Sequence, residues 1–220
     1  PAGTSESDAK YALSQAGLQV VPERIASSAD EAVAHAKTLG LPVVLKTAAT
    51  GIAHKTEIGG VLLDLTTTEA VADGYCVLVE RAGAIIPSDD ARQVSISPMV
   101  RGGIETIIGI QQDPTFGPVV MFGIGGIFTE IYRDVALRAA PIGLKEAHEM
   151  IREIKGYPLL NGARGRARAD LDAIAEALIR LAAYAVTHRD TIHSIDINPF
   201  IVLPEGDGAI AVDALIVTTE

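Results

Sequence analysis

Two stretches of this chain carry residue types that could bind a phosphorylated ligand. In the first, residues 41–60, an apolar strand leads into Lys46, and a loop of small residues then precedes His54 and Lys55. A lysine at a strand end can hold a phosphate group as a point charge, and a small-residue loop lets the backbone approach a ligand. An ordinary strand–loop corner with solvated charges is the alternative. The spacing of the whole group favours the phosphate-binding interpretation.

The second stretch, near the C-terminus, brings two carboxylates and one amide together. Asp196 lies two residues before Asn198, so both side chains lie on the same face of one strand. The turn at residues 204–208 predicts a hairpin, and folding the chain about it places Asn198 opposite Asp213. These oxygens could provide half of the ligands of a Mg²⁺ ion, and phosphate and water would provide the other half. For each acid taken singly, a turn cap or an exposed strand residue is the alternative.

The two stretches together predict one site for a nucleotide between two lobes. The first lobe would supply the lysine, and the second would supply the oxygen ligands of a magnesium ion bound to the phosphates. The sequence contains no GxxxxGK[ST] motif, which excludes a P-loop protein. The glycine-rich run at residues 123–126 is too short for a dinucleotide-binding fingerprint.

Composition narrows the class of protein further. Of 220 residues, 48% are hydrophobic and 21% are charged, as in a soluble globular protein. The net charge of -10 disfavours a nucleic-acid partner, and we interpret the local basic cluster of Arg164, Arg166 and Arg168 as a solvated loop. The single cysteine, Cys76, excludes an internal disulfide framework and favours a cytoplasmic protein. No apolar run reaches the roughly 20 residues that would span a membrane.

Hydrophobic periodicity predicts the elements that position these residues. In the first half we expect helices at 5–16, 28–39 and 69–82, and strands at 43–45, 61–65 and 92–100. In the second half we expect helices at 144–154 and 171–185, and strands at 104–110, 119–122, 135–139, 193–197, 200–203 and 209–214, with the glycine run at 123–126 ending its strand. These elements predict an α+β protein with an N-terminal lobe at 1–100 that includes helix 5–16, a hinge at 101–103, and a C-terminal lobe at 101–220 that carries the metal-binding hairpin.

Several of these stretches are similar to one known family. The chain resembles the ATP-grasp domain, the β subunit or β-like segment, of ADP-forming acyl-CoA synthetases, which are relatives of succinyl-CoA synthetase. The matching stretches are PVVLK at 42–46, HKTEIGGV at 54–61, GGIETIIGIQQDPTFGPVVMFGIGGIFTE at 102–130, EMIREIKGYPLLNGARG at 149–165 and DINPFIV at 196–202. They occur in the family order and cover most of the chain.

This resemblance implies a fold, a reaction and a set of partners. The fold would be two α+β lobes that grasp ATP between them. The reaction would be that of an acid–thiol ligase, acyl-CoA + ADP + phosphate ⇌ acid + CoA + ATP, which proceeds through phosphohistidine. CoA-binding and CoA-ligase domains would be supplied by an α subunit or by the rest of a longer chain, since 220 residues leave no room for them.

The resemblance also implies roles for individual residues. His54 would relay the phosphoryl group, since a partly neutral imidazole can act as a nucleophile near neutral pH. The nucleotide would be bound by Lys46, Lys55, Met99, Val100, Glu105, Gly125 and Gly126, and Mg²⁺ by Asn198 and Asp213 with Asp196 alongside. A surface-loop histidine, a solvated acid and a simple tight turn are the alternatives for His54, Glu105 and the glycine pair.

One position departs from the family pattern, and two other functions remain open. Pro98 stands where relatives often carry an acid before Met-Val, which leaves the choice between adenine and guanine undecided. A non-catalytic ATP-grasp module, such as that of some protein acetyltransferases, is one alternative function. An ATP-grasp ligase that works without phosphohistidine is another. The acid that is activated and the oligomeric state are not visible in the sequence.

Overall fold

The computed structural model describes residues 2–49, 52, 58–86, 88–126 and 134–219. These residues form two compact units, and each unit has its own antiparallel sheet. The larger unit consists of residues 1–20 and 100–220, and the smaller unit consists of residues 21–99. The α+β class predicted from the sequence is confirmed.

The elements are numbered in chain order. The described helices are α1 Glu6–Gln15, α2 Ala29–Leu39, α3 Thr68–Gly83, α4 Leu144–Glu153, α5 Tyr157–Leu160 and α6 Leu171–Thr187, with short 3₁₀ turns at Asp89–Arg92 and Ala163–Gly165. The described strands are β1 Ala2–Gly3, β2 Arg24–Ala26, β3 Val43–Thr47, β4 Val61–Leu65, β5 Val94–Pro98, β6 Ile104–Asp113, β7 Gly117–Ile124, β8 Val135–Ala139, β9 Ile192–Val202, β10 Ala209–Ala211 and β11 Ala214–Thr218. Within the described ranges, no helix is both long enough and apolar enough to cross a bilayer.

The smaller unit is a four-stranded sheet whose helices start at side-chain caps. The strand order is β2-β5-β3-β4, and α2 and α3 pack against one face. Ser28 caps α2 by accepting the N–H of Glu31, and Thr67 caps α3 in the same way. The Glu31 carboxylate accepts the N–H of Ser27 and not that of Ser28, so the reciprocal bond of a capping box is not formed here.

In the described part of the larger unit, helices cover one face of the sheet, and the other face, which carries none of these helices, is called the open face here. The strands run β1-β11-β9-β6-β7-β8, and β10 also pairs with β9. Alternate residues of these strands, among them Ile108, Phe122 and Ile197, are fully buried in a core cluster with residues of α1, α4 and α6. Because strand side chains alternate, the intervening residues lie on the opposite face of the sheet.

Several predicted strands have other bounds: β5 is shorter than expected, β6 is longer, and the strand expected at 209–214 is divided into β10 and β11. In three further cases, ladder hydrogen bonds continue past the residues expected to stop the strand. Strand β3 runs to Thr47, so Lys46 lies within the strand and not at its end. Strand β7 continues through Gly123 to Ile124, and β9 runs unbroken from Ile192 to Val202.

Helix α1 belongs to the larger unit and not, as predicted from the sequence, to the N-terminal lobe. Ala9 and Leu13 are fully buried in the core cluster of the larger unit. Val20 forms a bridge with Ala211, and Thr4 donates its N–H to the carbonyl of Ile216. Burial of the apolar stripe of α1 against distant strands therefore decides which unit it joins.

Candidate functional site

The C-terminal hairpin has the register that the sequence predicted. Ala209 pairs with Val202, and Ala214 pairs with Ile197. Both pairs fit one continuous antiparallel register, which places Asp213 opposite Asn198. The turn chemistry of residues 204–208 was therefore sufficient to align the two strands.

Asp196 and Asn198 lie on the open face of the larger sheet. Ile195 and Ile197, their neighbours in β9, are buried in the core on the helix-covered face. Asp196 and Asn198 are exposed, and Asp213 is half-buried. The strand alternation thus leaves the polar side chains outside the core.

The carboxylate of Asp196 lies in an electrostatic environment that disfavours its charge. The residue Asp196 reaches solvent, but protein atoms crowd its carboxylate and reduce its hydration. This desolvation, together with the negative charge of Asp213, raises the pKa of Asp196. A cation between the two carboxylates would relieve their repulsion.

Glu105 lies in β6, the strand paired with β9, and the glycine pair directly follows β7. Glu105 pairs with Ile201 of β9 and is exposed, while Gly125 donates its N–H to the Glu105 carbonyl at 2.8 Å. A Cβ at Gly125 would lie only 3.1 Å from that carbonyl oxygen, and Gly126 has a φ of +71°. Both positions therefore favour glycine, and the backbone there is bare of side chains.

Lys46 is a buried cation on the side of the smaller sheet that faces away from α2 and α3. Val43 and Leu45 pack against those helices, so Lys46 lies on the opposite face, where it pairs with Ser95 of β5. It is only 6% exposed, and it takes part in a polar interaction within the chain. A buried ammonium group is costly without polar or anionic partners, so this site suits a negatively charged ligand.

Ser95 and Ser97 were not singled out in the sequence, although a signal was present. In β5 they alternate with Val94 and Ile96, which belong to the core of the smaller unit. Both serines are buried, and they lie on the same face as Lys46. The period-2 pattern of VSIS could have identified a polar strip beside the lysine.

Met99 and Val100 form the segment expected to bind the base of the nucleotide, and one of its two backbone N–H groups already has an acceptor within the chain. The N–H of Met99 donates to the carbonyl of Pro42 at 2.9 Å. In the described part of the chain, the N–H of Val100 donates no hydrogen bond. A base that binds at this segment would therefore find its donor at Val100.

His54 and Lys55 lie outside the described residues, but Ile52 before them and Ile58 and Gly59 after them have defined contacts. Ile52 and Ile58 pack in a small apolar cluster that includes Ala82 of α3. The guanidinium of Arg81 donates to the carbonyl of Gly59. The flanks of the segment are therefore attached to α3 in the smaller unit.

The comparisons with known proteins agree with this geometry. The family model of the ATP-grasp domain matches residues 3–218. The chain is 40% identical to the β subunit of acetate–CoA ligase (ADP-forming) II from Pyrococcus furiosus, over 96% of this chain and 90% of that subunit. It is also 40% identical to acetate–CoA ligase (ADP-forming) I from Archaeoglobus fulgidus, over 86% of this chain but only 27% of that longer protein.

A solved structure shows the same fold over nearly the whole chain. It is the dinucleotide-forming acetyl-coenzyme A synthetase 1 of Candidatus Korarchaeum cryptofilum, in complex with coenzyme A and Mg-AMPPCP and with a phosphohistidine segment pointing towards the nucleotide-binding site. The TM-score is 0.86 at 37% identity, and the match covers 99% of this chain and 93% of that one. The chain therefore belongs to the ATP-grasp family, as the β subunit or β-like segment that forms the nucleotide-binding part of ADP-forming acyl-CoA synthetases.

Proposed function

We propose that this chain transfers a phosphoryl group between a phosphohistidine and ADP, with Mg²⁺, in the reaction acyl-CoA + ADP + phosphate ⇌ acid + CoA + ATP. The observation that carries the proposal is the oxygen cluster of Asp196, Asn198 and Asp213 on the open face of the larger sheet. Burial and the negative charge of Asp213 raise the pKa of Asp196, and a bound divalent cation would relieve this unfavourable environment.

The donor set of this cluster fits magnesium. Carboxylate and amide oxygens are hard ligands, and Asn198 and Asp213 would hold the cation with Asp196 beside them. Among the described residues, no group of three or more His, Cys, Asp or Glu side chains is arranged to hold a metal. The protein would therefore supply only part of the shell, and phosphate oxygens and water would supply the rest. The cation would neutralise charge on the phosphates when bound.

The remaining site residues would hold the nucleotide. Lys46, buried among polar groups, would contact its phosphates, as would Lys55. Glu105 would accept hydrogen bonds from the nucleotide, and the bare backbone of Gly125 and Gly126 would let the phosphoryl group come close.

The phosphoryl group would pass through His54. In the direction of ATP formation, the bond between phosphorus and the His54 nitrogen breaks, and a bond forms to a terminal phosphate oxygen of ADP. The electron pair of the broken bond returns to the imidazole, which becomes able to accept the next phosphoryl group. The position of His54 within HKTEIGGV supports this assignment.

We infer that the partner is a CoA-binding and CoA-ligase module. The Pyrococcus furiosus relative is a separate β subunit, and the Archaeoglobus fulgidus relative is a longer single chain. In either arrangement the partner would bind the acyl group and carry the first phosphohistidine.

A calorimetric titration of the full chain with ADP and ATP, with and without Mg²⁺, tests the proposal. Asp213→Asn should weaken magnesium-dependent binding at least about tenfold, or roughly 1.4 kcal/mol. Asp207→Asn is the matched control, because Asp207 is an exposed residue in the turn of the same hairpin and should bind like the wild type. If both variants bind alike, or if the folded wild-type chain binds no nucleotide, the proposal is wrong and the non-catalytic alternative is favoured.

A further inference from the structure

A groove in the larger unit lies apart from the residues of the proposed reaction. Its volume is about 350 Å³, and it is lined by residues 102–104, by Arg166, Ala167 and Ala169, and by residues 202–204. Two of the lining residues, Ile104 and Val202, lie on the helix-covered side of the sheet. The carboxylate cluster lies on the open face, so the groove is a separate feature.

The basic loop that borders this groove is fixed to the C-terminal hairpin. Asp170 accepts the N–H groups of Gly206 and Gly208, each at 3.0 Å. Glu205 donates its N–H to the carbonyl of Arg168 at 2.8 Å. The side chains of Arg166 and Arg168 are exposed, as expected for a solvated loop, while the hydrogen bond to the Arg168 carbonyl holds the backbone there in place.

Arg166 brings a positive charge without an internal partner to the groove. Within the part of the chain that the structure describes, its guanidinium forms no ion pair and no hydrogen bond, whereas Arg168 lies 3.4 Å from Glu205. Another groove, of about 480 Å³ in the smaller unit, contains Arg92, but that arginine already lies 3.8 Å from Asp89. In a chain with a net charge of -10, an unpaired arginine at a groove favours an anionic ligand.

Two glycines, Gly102 and Gly103, also line the groove and present backbone without side chains. Gly102 has a φ of +82°, and a Cβ at Gly103 would lie 2.8 Å from the carbonyl oxygen of Val202. Among the described residues, the N–H groups of Gly102, Gly103 and Ala167 find no acceptor. Free backbone N–H groups beside a guanidinium are the donors that bind phosphate oxygens.

We propose that this groove binds the phosphate group of a small organic phosphate. Arg166 is the cationic contact, and the backbone N–H groups of Gly102 and Gly103 are further donors. The volume is near the lower end of the range of about 300–1,000 Å³ for small-molecule sites, which suits a compact metabolite. The inference does not depend on the proposed phosphoryl transfer, because it uses none of the same residues.

The test is a calorimetric titration of the full chain with glycerol 3-phosphate in phosphate-free buffer containing a chelator, with glycerol as the neutral control. We expect saturable binding of glycerol 3-phosphate alone, which persists when the nucleotide site is filled with Mg²⁺ and a non-hydrolysable ATP analogue. Arg166→Ala should weaken it at least about tenfold, because a charge-assisted contact is lost. Arg152→Ala is the matched control, since Arg152 is also an exposed arginine but lies outside the groove.

Three results would overturn the proposal. Equal weakening in Arg166→Ala and Arg152→Ala would indicate general anion attraction and no defined site. Competition by the ATP analogue would assign the binding to the nucleotide site. Absence of saturable binding in the folded wild-type chain would show that the groove does not hold a phosphate.

Discussion

Two aspartates of the larger unit have opposite environments. Asp170 caps α6 and accepts the N–H groups of Ala173, Gly206 and Gly208, each at 3.0 Å. Burial alone would raise its pKa, but these three hydrogen bonds outweigh burial and lower the pKa. For Asp196, burial and the charge of Asp213 act in the same direction and raise the pKa.

The difference separates a carboxylate that stabilises the fold from one that is available for a ligand. The partners of Asp170 are all backbone groups of its own chain, so its charge is satisfied in the folded protein. Asp196 is placed beside a second acid on an open sheet face, an arrangement that costs stability until a cation binds. Residues that oppose folding in this way are often functional.

The largest expected effect on the free energy of unfolding comes from removing the carboxylate of Asp170. Asp170→Ala should lower the free energy of unfolding by about 2 kcal/mol, because a helix cap and two further backbone donors lose their acceptor. Urea unfolding at neutral pH measures this loss. Asp207→Ala, at an exposed position of the adjoining turn, should change it by no more than about 0.5 kcal/mol. A similar loss in both variants would mean that the turn in general, and not the Asp170 carboxylate, stabilises this region.

The pH dependence of Asp170 should follow from its lowered pKa. The folded protein holds this group ionised more strongly than the unfolded chain does, so its stabilisation is complete above the ordinary aspartate pKa of about 3.9. That stabilisation is lost as the pH falls through the lower folded pKa. The difference in unfolding free energy between wild type and Asp170→Asn should therefore be constant near neutral pH and shrink in acid. A difference that grows in acid would contradict this assignment.

The smallest effect on stability should come from the Asp196 carboxylate, and its sign should be opposite. Since the folded pKa of Asp196 is raised, its contribution becomes unfavourable as the pH rises above about 3.9, the ordinary value. Asp196→Asn should raise the unfolding free energy by less than about 1 kcal/mol at neutral pH without divalent cations, and this gain should vanish in acid.

The same variant also tests whether a ligand uses this carboxylate. With Mg²⁺ and ADP present, the wild type should gain stability by binding, and Asp196→Asn should gain less. Asp207→Asn should follow the wild type under both conditions. Loss of stability in Asp196→Asn without any ligand would show that Asp196 supports the fold as Asp170 does.

Much of the local structure could be predicted from the chain. Strands β4 and β8 have the predicted bounds, and Ser5, Ser28, Thr67 and Asp170 accept N–H groups at the helix starts. The register that places Asn198 opposite Asp213 followed from one turn. These features depend on neighbours in sequence or on a short hairpin, which is why pattern and turn chemistry were sufficient.

Strand ends were less predictable, because they depend on partners elsewhere in the chain. The glycine run at 123–126 was expected to end its strand, and two separate strands were expected at 193–197 and 200–203, yet β7 continues through Gly123 and β9 spans both of the latter. Each strand is paired along both sides by neighbours in the sheet. Between Ile197 and Phe200, the pairing of β9 with β6 shifts register, which accommodates the irregular backbone around Pro199. Such ladder bonds outweigh the local preference of a glycine or proline.

The amino-acid sequence was enough to identify the chemical types, the alternation that leaves Asp196 and Asn198 outside the core, and the family to which the chain belongs. Three features emerged only from the folded chain: α1 joins the larger unit, Lys46 is buried within its strand, and Asp170 and Asp196 differ in their proton affinity. Burial and electrostatic environment are sums over groups that are distant in sequence, and no local pattern records which of them will meet.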